Sequence, residues 1–115
     1  MKLSHIPPAF IALLIFASLI MAQAVFPRMT SVEPTKAKTG AEVSVTGENL
    51  DKENVAEVYL TDGKNDVKVQ VTQQDAAAIK FKVPDTMKQG RFSLMVLTTT
   101  KPPRLVEQPV KLTIE

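Results

Sequence analysis

Gly40-Ala41-Glu42-Val43-Ser44-Val45-Thr46-Gly47-Glu48-Asn49-Leu50 decides the fold of this chain. Val43 and Val45 alternate with Ser44 and Thr46, and a period of two places the valines on one face of a strand and the hydroxyls on the other. Gly47 and Asn49 then supply turn chemistry before Leu50 returns to an apolar position. The same pattern spreads outward. Upstream, Met29 to Glu33 is short and stops at Pro34, as an edge strand does. Downstream, Val55 to Thr61 is a third run, followed by the turn formers Thr61-Asp62-Gly63-Lys64-Asn65. Val67, Val69 and Val71 alternate with Lys68 and Gln70, and Ile79, Phe81 and Val83 alternate with Lys80 and Lys82 until Pro84. Gly90 opens a run from Arg91 to Thr99 with Phe92, Leu94 and Val96 toward the core, and a last strand after Pro109 turns Val110, Leu112 and Ile114 inward. Asp75-Ala76-Ala77-Ala78 has room for one helical turn before the Ile79-Phe81-Val83 alternation takes over. About seven short strands separated by turn signals describe an all-β antiparallel sandwich.

The first residues differ in kind. Lys2 precedes an uncharged run from Ala9 to Met21, and Ala22-Gln23-Ala24 offers small residues where a signal peptidase requires them. Residues 1–24 are therefore expected to form an N-terminal signal helix cleaved before Val25, leaving residues 25–115 as one domain, periplasmic or secreted. The alternative is an uncleaved anchor over residues 9–22. The uninterrupted apolar run is shorter than the roughly 20 residues a spanning helix needs, which favours cleavage.

Loss of the leader removes Lys2 and no acid, so the 14 basic residues fall by one against 12 acidic ones and the net charge drops from +2 to +1. So small a charge gives little nonspecific attraction to nucleic acid or to an anionic membrane. The chain has no cysteine and no tryptophan, and its one histidine, His5, lies in the leader. Thiol chemistry, imidazole acid–base catalysis and the usual zinc ligand sets are excluded for residues 25–115. The body must hold together by its core, without disulfides.

Pro27-Arg28-Met29-Thr30-Ser31-Val32-Glu33-Pro34 resembles the opening strand of an IPT/TIG domain, with Met29 and Val32 at its apolar places and Pro34 closing it. Gly40 to Leu50 is similar to the family's second strand and the turn after it. Ala78-Ile79-Lys80-Phe81-Lys82-Val83-Pro84 and Gln89-Gly90-Arg91-Phe92-Ser93-Leu94-Met95-Val96 resemble two later strands in the same order. Ala37-Lys38-Thr39 departs from the glycine pair often found before the second strand. The resemblance covers residues 27 to 115 and implies an immunoglobulin-like β-sandwich. It implies no single function, since related domains occur in surface receptors, bacterial surface proteins, starch-active enzymes and transcription factors.

Several features are candidates for contact. The loop Thr98-Thr99-Thr100-Lys101-Pro102-Pro103-Arg104 joins the last two strands with hydroxyls, two cations and a stiff proline pair. Met95 and Leu97 point opposite to Phe92, Leu94 and Val96 and are expected on an outer sheet face, as a patch for another domain. Exposed strand edges, including the short strand before Pro34, are candidates for strand addition. Glu48, Asp51, Glu53 and Glu57 gather acidity, but Lys52 is interleaved and no calcium-loop spacing is present. Tyr59 is the one aromatic expected to be partly exposed, a poor platform for a sugar. Asp62 and Asp66 flank a flexible turn and make the best carboxylate pair, with no pocket implied.

These readings lead to the expectation of an exported, non-catalytic binding or assembly module without cofactor or metal, acting by protein–protein contact at the cell surface, in the envelope or outside the cell. Nucleic acid and membrane insertion of residues 25–115 are not expected. The alternatives are an accessory carbohydrate-binding module and, with the leader retained, a membrane-tethered stalk.

Overall fold

The computed structural model describes residues 25–115. The expected leader, residues 1–24, and the cleavage that would remove it lie outside the described residues. The described chain forms nine strands: β1 (Arg28–Glu33), β2 (Lys36–Ala37), β3 (Glu42–Glu48), β4 (Val55–Thr61), β5 (Asp66–Lys68), β6 (Gln70–Gln74), β7 (Ala78–Lys82), β8 (Gly90–Thr98) and β9 (Leu105–Ile114). They make an immunoglobulin-like sandwich of a four-stranded sheet, ordered β1-β3-β7-β6, on a five-stranded sheet, ordered β2-β9-β8-β4-β5. β2 runs parallel to β9, and the other pairings are antiparallel.

The alternation read from the sequence fills the space between the sheets. Val43 and Val45 of β3, Ile79 and Phe81 of β7, Leu94 and Val96 of β8, and Leu112 of β9 are fully buried there. β4 departs from strict alternation because a bulge between Val55 and Glu57 inserts a residue, so Val55 and Val58 both reach the core three positions apart.

Nine strands replace the expected seven because two runs change sheets partway. The first leaves the four-stranded sheet after Glu33, passes the cis Glu33–Pro34 peptide and joins β9 as β2. The Val67 to Val71 run likewise divides. β5 pairs with β4, β6 pairs with β7, and Val69 between them donates its N–H to Val58 O at 3.0 Å. Val69 is buried, and Val67 and Val71, inward as expected, are only half-buried against the core because β5 and β6 are the edge strands of their sheets. The last strand begins at Leu105, before Pro109 and not after it. β9 accommodates the proline at an irregularity, where a step of two along β8 (Ser93 to Met95) matches a step of four along β9 (Lys111 to Glu107).

Gly47 and Asn49 divide the work at the end of β3. A Cβ at Gly47 would lie 2.0 Å from Arg28 O and 2.9 Å from Met29 Cα, so glycine is required by the close approach of β1. The sharp turn belongs to Asn49, at φ 57°, whose Nδ2 donates to Phe26 O at 3.2 Å. The Asp75 segment is a hairpin turn and not a helical one, with Asp75 Oδ1 accepting from Ala77 N and Ala78 N, both at 2.9 Å.

Candidate interaction surface

The register of the five-stranded sheet fixes what its outer face presents. Tyr59 stands beside Lys68 on one side and Met95 on the other, and Met95 beside Glu107. One step along, Thr61 stands between Asp66 and Ser93, and Ser93 beside Lys111. Above the first row, Glu57 opposes Leu97 and Leu97 opposes Leu105. Their neighbours Leu60, Leu94, Val96 and Leu112 are buried on the opposite side, so these rows share the outer face.

Met95 and Leu97 occupy the expected face, but their exposure differs from the expectation. Met95 is only 9% exposed, flanked by Tyr59 and Glu107, and Leu97 is half-buried. The more open apolar side chain is Leu105, at 50%. Tyr59 is half-buried, and its hydroxyl donates to Glu57 Oε1. Lys68 Nζ lies 2.7 Å from Glu57 Oε2, the one ion pair among the described residues. The hydrogen bonds from Lys68 and then from Tyr59 hold the Glu57 carboxyl below its ordinary value. The same carboxylate pushes the Tyr59 phenol up. A shallow depression of about 230 Å³ beside these rows is lined by Thr61, Ser93, Arg91, Glu107 and Lys111. Lys111 Nζ donates to Ser93 Oγ at 3.0 Å.

The β8–β9 loop continues this surface, since Arg104 leads directly into Leu105. Thr98 is buried and Thr99 to Arg104 are exposed. The three hydroxyls expected to face a partner make bonds within the protein. Thr98 and Thr100 share one at 2.7 Å, Thr98 Oγ1 accepts from Arg104 N at 2.9 Å, Thr100 donates to Pro102 O at 3.0 Å, and Thr99 donates to Glu53 O. Lys101 and Arg104 project from a loop braced in this way.

The other singled-out residues are not brought into one site. Asp51 Oδ1 accepts from Asn54 Nδ2 at 2.9 Å, Glu57 faces Lys68, and no three acidic residues converge among the described residues. Asp62 Oδ1 accepts from Lys64 N and Asn65 N at 2.8 and 2.7 Å, and these backbone bonds, Asn65 first, lower its pKa. The edge strand before Pro34 is less open than its sequence suggests, because Met29 N donates to Gln108 Oε1 at 2.7 Å. Gln108 is buried between the sheets. Sequence reasoning missed Gln108 and Leu105 together. Extending the Val110-Leu112-Ile114 alternation back through Pro109 would have placed Gln108 inward and Leu105 outward.

The family model of the IPT/TIG domain matches residues 27–114. No curated protein matches the chain. Among solved structures, a protein of unknown function from Bacteroides thetaiotaomicron VPI-5482 shares 22% identity with a TM-score of 0.66, over 79% of this chain and 22% of that one. Gamma-CGTase from alkalophilic Bacillus clarkii shares 20% with a TM-score of 0.61, over 81% of this chain and 13% of that one. An auxiliary nutrient binding protein from Bacteroides ovatus ATCC 8483 shares 18% with a TM-score of 0.55, over 79% and 21%. This chain therefore spans less than a quarter of the length of these structures, and the likeness is one of fold. With its strand motifs in order, its sandwich topology and a family match across nearly all the described residues, the chain belongs to the IPT/TIG domain family.

Proposed function

We propose that this protein is an exported, non-catalytic binding module that works by protein contact at the cell envelope or outside the cell. The observation that carries the reading is the outer face of the five-stranded sheet, where Leu97, Leu105, Met95 and Tyr59 adjoin one another and the loop bearing Lys101 and Arg104. An aromatic, a methionine and two leucines rimmed by charge have the composition of a contact patch. Export rests on the residue pattern of positions 1–24.

A photo-cross-linking residue placed at Leu97 or Leu105 in the living cell tests the contact surface. Adducts are expected from both positions and not from Thr72, which is exposed on the other sheet. Equal labelling at all three, or none, overturns the reading. Intact mass and N-terminal sequence from each cell fraction test export. A start at Val25 is expected, and a start at Met1 in membranes makes the protein a tethered domain instead.

A second reading takes support from Tyr59, a half-buried ring whose hydroxyl is held by Glu57 beside Lys68. This has the makings of a single stacking position for a sugar. A glycan array probed with the protein discriminates: binding abolished by Tyr59→Ala supports the carbohydrate module, and a blank array retires it.

A further inference from the structure

We infer that the outer face of the five-stranded sheet is a self-association surface. Two copies of this chain stack it face to face about a twofold axis that runs perpendicular to the strands, between the Met95 and Ser93 rows. The inference rests on the reading that this face meets protein, and it names the partner.

The outer face has a symmetry of charge and size. The upper row reads Glu107, Met95, Tyr59, Lys68 across β9, β8, β4 and β5, and the lower row reads Lys111, Ser93, Thr61, Asp66 across the same strands. Each strand thus carries opposite or complementary residues in its two rows. β9 has an acid above a base, β5 a base above an acid, and β8 and β4 each a large side chain above a small one. A twofold axis between the rows lays the upper row of one copy on the lower row of the other. Glu107 then meets Lys111 of the second copy, Lys68 meets Asp66, Met95 meets Ser93, and Tyr59 meets Thr61. The depression lined by Thr61 and Ser93 lies where the facing Tyr59 would enter, with Met95, only 9% exposed, beneath the contact. Leu97 falls over the Arg91 row, whose aliphatic stem can cover it. An isologous interface requires this self-complementarity.

A twofold axis parallel to the strands also matches charges, pairing Glu107 with Lys68 and Lys111 with Asp66. It sets Met95 against Tyr59 and Ser93 against Thr61, bulk on bulk and hollow on hollow. Shape therefore selects the perpendicular axis. The patch is about 15 Å across four strands and about 20 Å along them, which is small for a specific interface and predicts a weak dimer populated only at high protein concentration.

Sedimentation equilibrium of the protein, purified as the cell makes it, tests this at concentrations up to about 1 mM. A monomer–dimer equilibrium weakened by added salt is expected. Glu107→Lys is expected to weaken dimerisation about tenfold or more, since it sets like charges together twice per dimer. The swap Glu107→Lys with Lys111→Glu is expected to restore it, because the new lysine again faces a glutamate. Under the parallel axis the swap faces Lys68 and Asp66 with like charges and restores nothing. Asp66→Lys, and its swap with Lys68→Asp, repeat the test on β5 if a β9 variant fails to fold, as judged by thermal melting. A monomer at every concentration, an insensitive Glu107→Lys, or a swap that fails to restore overturns the inference. The cross-linker at Leu97 separates this failure from that of the wider reading. An adduct with a second copy supports both, adducts with other proteins alone overturn self-association and leave the contact surface standing, and no adduct overturns both.

Discussion

The two sheets of this sandwich share one core and present opposite kinds of outer face. On the four-stranded sheet the outward side chains answer one another. Glu42 opposes Lys82 and Ser44 opposes Lys80, the Ser31 and Thr46 hydroxyls are hydrogen-bonded, and Thr72 donates to Glu42 at 2.9 Å. On the five-stranded sheet, Leu97 and Leu105 sit side by side with Met95 and Tyr59 below them. A polar ladder that satisfies itself gains little from a partner, whereas apolar area on a sheet face gains by being covered. The asymmetry is the reason the proposed contact face is placed on the five-stranded sheet, without any knowledge of what it touches.

The contrast between the two faces is most sensitive to Gly47. Gly47→Ala drives a Cβ into the backbone of β1, and a loss of about 3 kcal/mol is expected in denaturant unfolding. The four-stranded face should lose its edge while a contact face on the other sheet keeps its composition. Next in size is Gln108→Ala, which leaves the Met29 N–H without its buried acceptor. That change is expected to cost about 1–3 kcal/mol by the same measurement and to loosen the join between the sheets. Lys101→Ala with Arg104→Ala should leave stability within about 0.5 kcal/mol, since both side chains are exposed, while weakening partner capture in the cross-linking assay. Unchanged capture would remove the loop from the contact surface.

The smallest effect is electrostatic. Glu57 has its folded-state pKa lowered by Lys68 and Tyr59, so its contribution is present above the unfolded carboxylate pKa and is lost as pH falls through the lowered folded value. Tyr59 has its pKa raised, so its contribution is present below the unfolded phenol pKa and is lost as pH rises through the raised value. Glu57→Gln should flatten both limbs of a stability–pH curve slightly. Limbs identical to those of the unchanged protein would show that the exposed pair contributes nothing.

Strand identity was legible in the sequence wherever a period of two was clean, as in Val43-Val45, Ile79-Phe81 and Phe92-Leu94-Val96, because burial of one face dictates alternation. Changes of sheet were not legible. Val67, Val69 and Val71 look like one inward face, and nothing in their spacing says that the chain passes from β4 to β7 at Val69. Pro109 misled for a different reason: a proline reads as a boundary, yet the irregularity in β9 leaves it in place without a ladder bond. Of the proposed contact face, Met95 and Leu97 were readable from strand parity. Glu107, Lys111, Asp66 and Lys68 were not, since their alignment depends on which strands become neighbours. The Thr98–Arg104 loop is legible as a loop, but the internal use of its hydroxyls depends on Glu53 and Arg104 folding back against it.

The parallel pair formed by β2 and β9 has a mechanical meaning. The chain enters the sandwich beside Glu48, at one end, and leaves beside Gly90, at the other. Tension between these points drags β2 toward the entry end while drawing the end of β9 the opposite way. The bonds from Thr113 N to Thr35 O and from Glu115 N to Ala37 O, both 2.9 Å, are then loaded together in shear instead of opening one after the other. Two residues of pairing are a small clasp, and they tie the run after β1 to the end of β9, where a pull on the leaving chain arrives. Stretched along its chain, this clasp is expected to part in one step, its two bonds failing together.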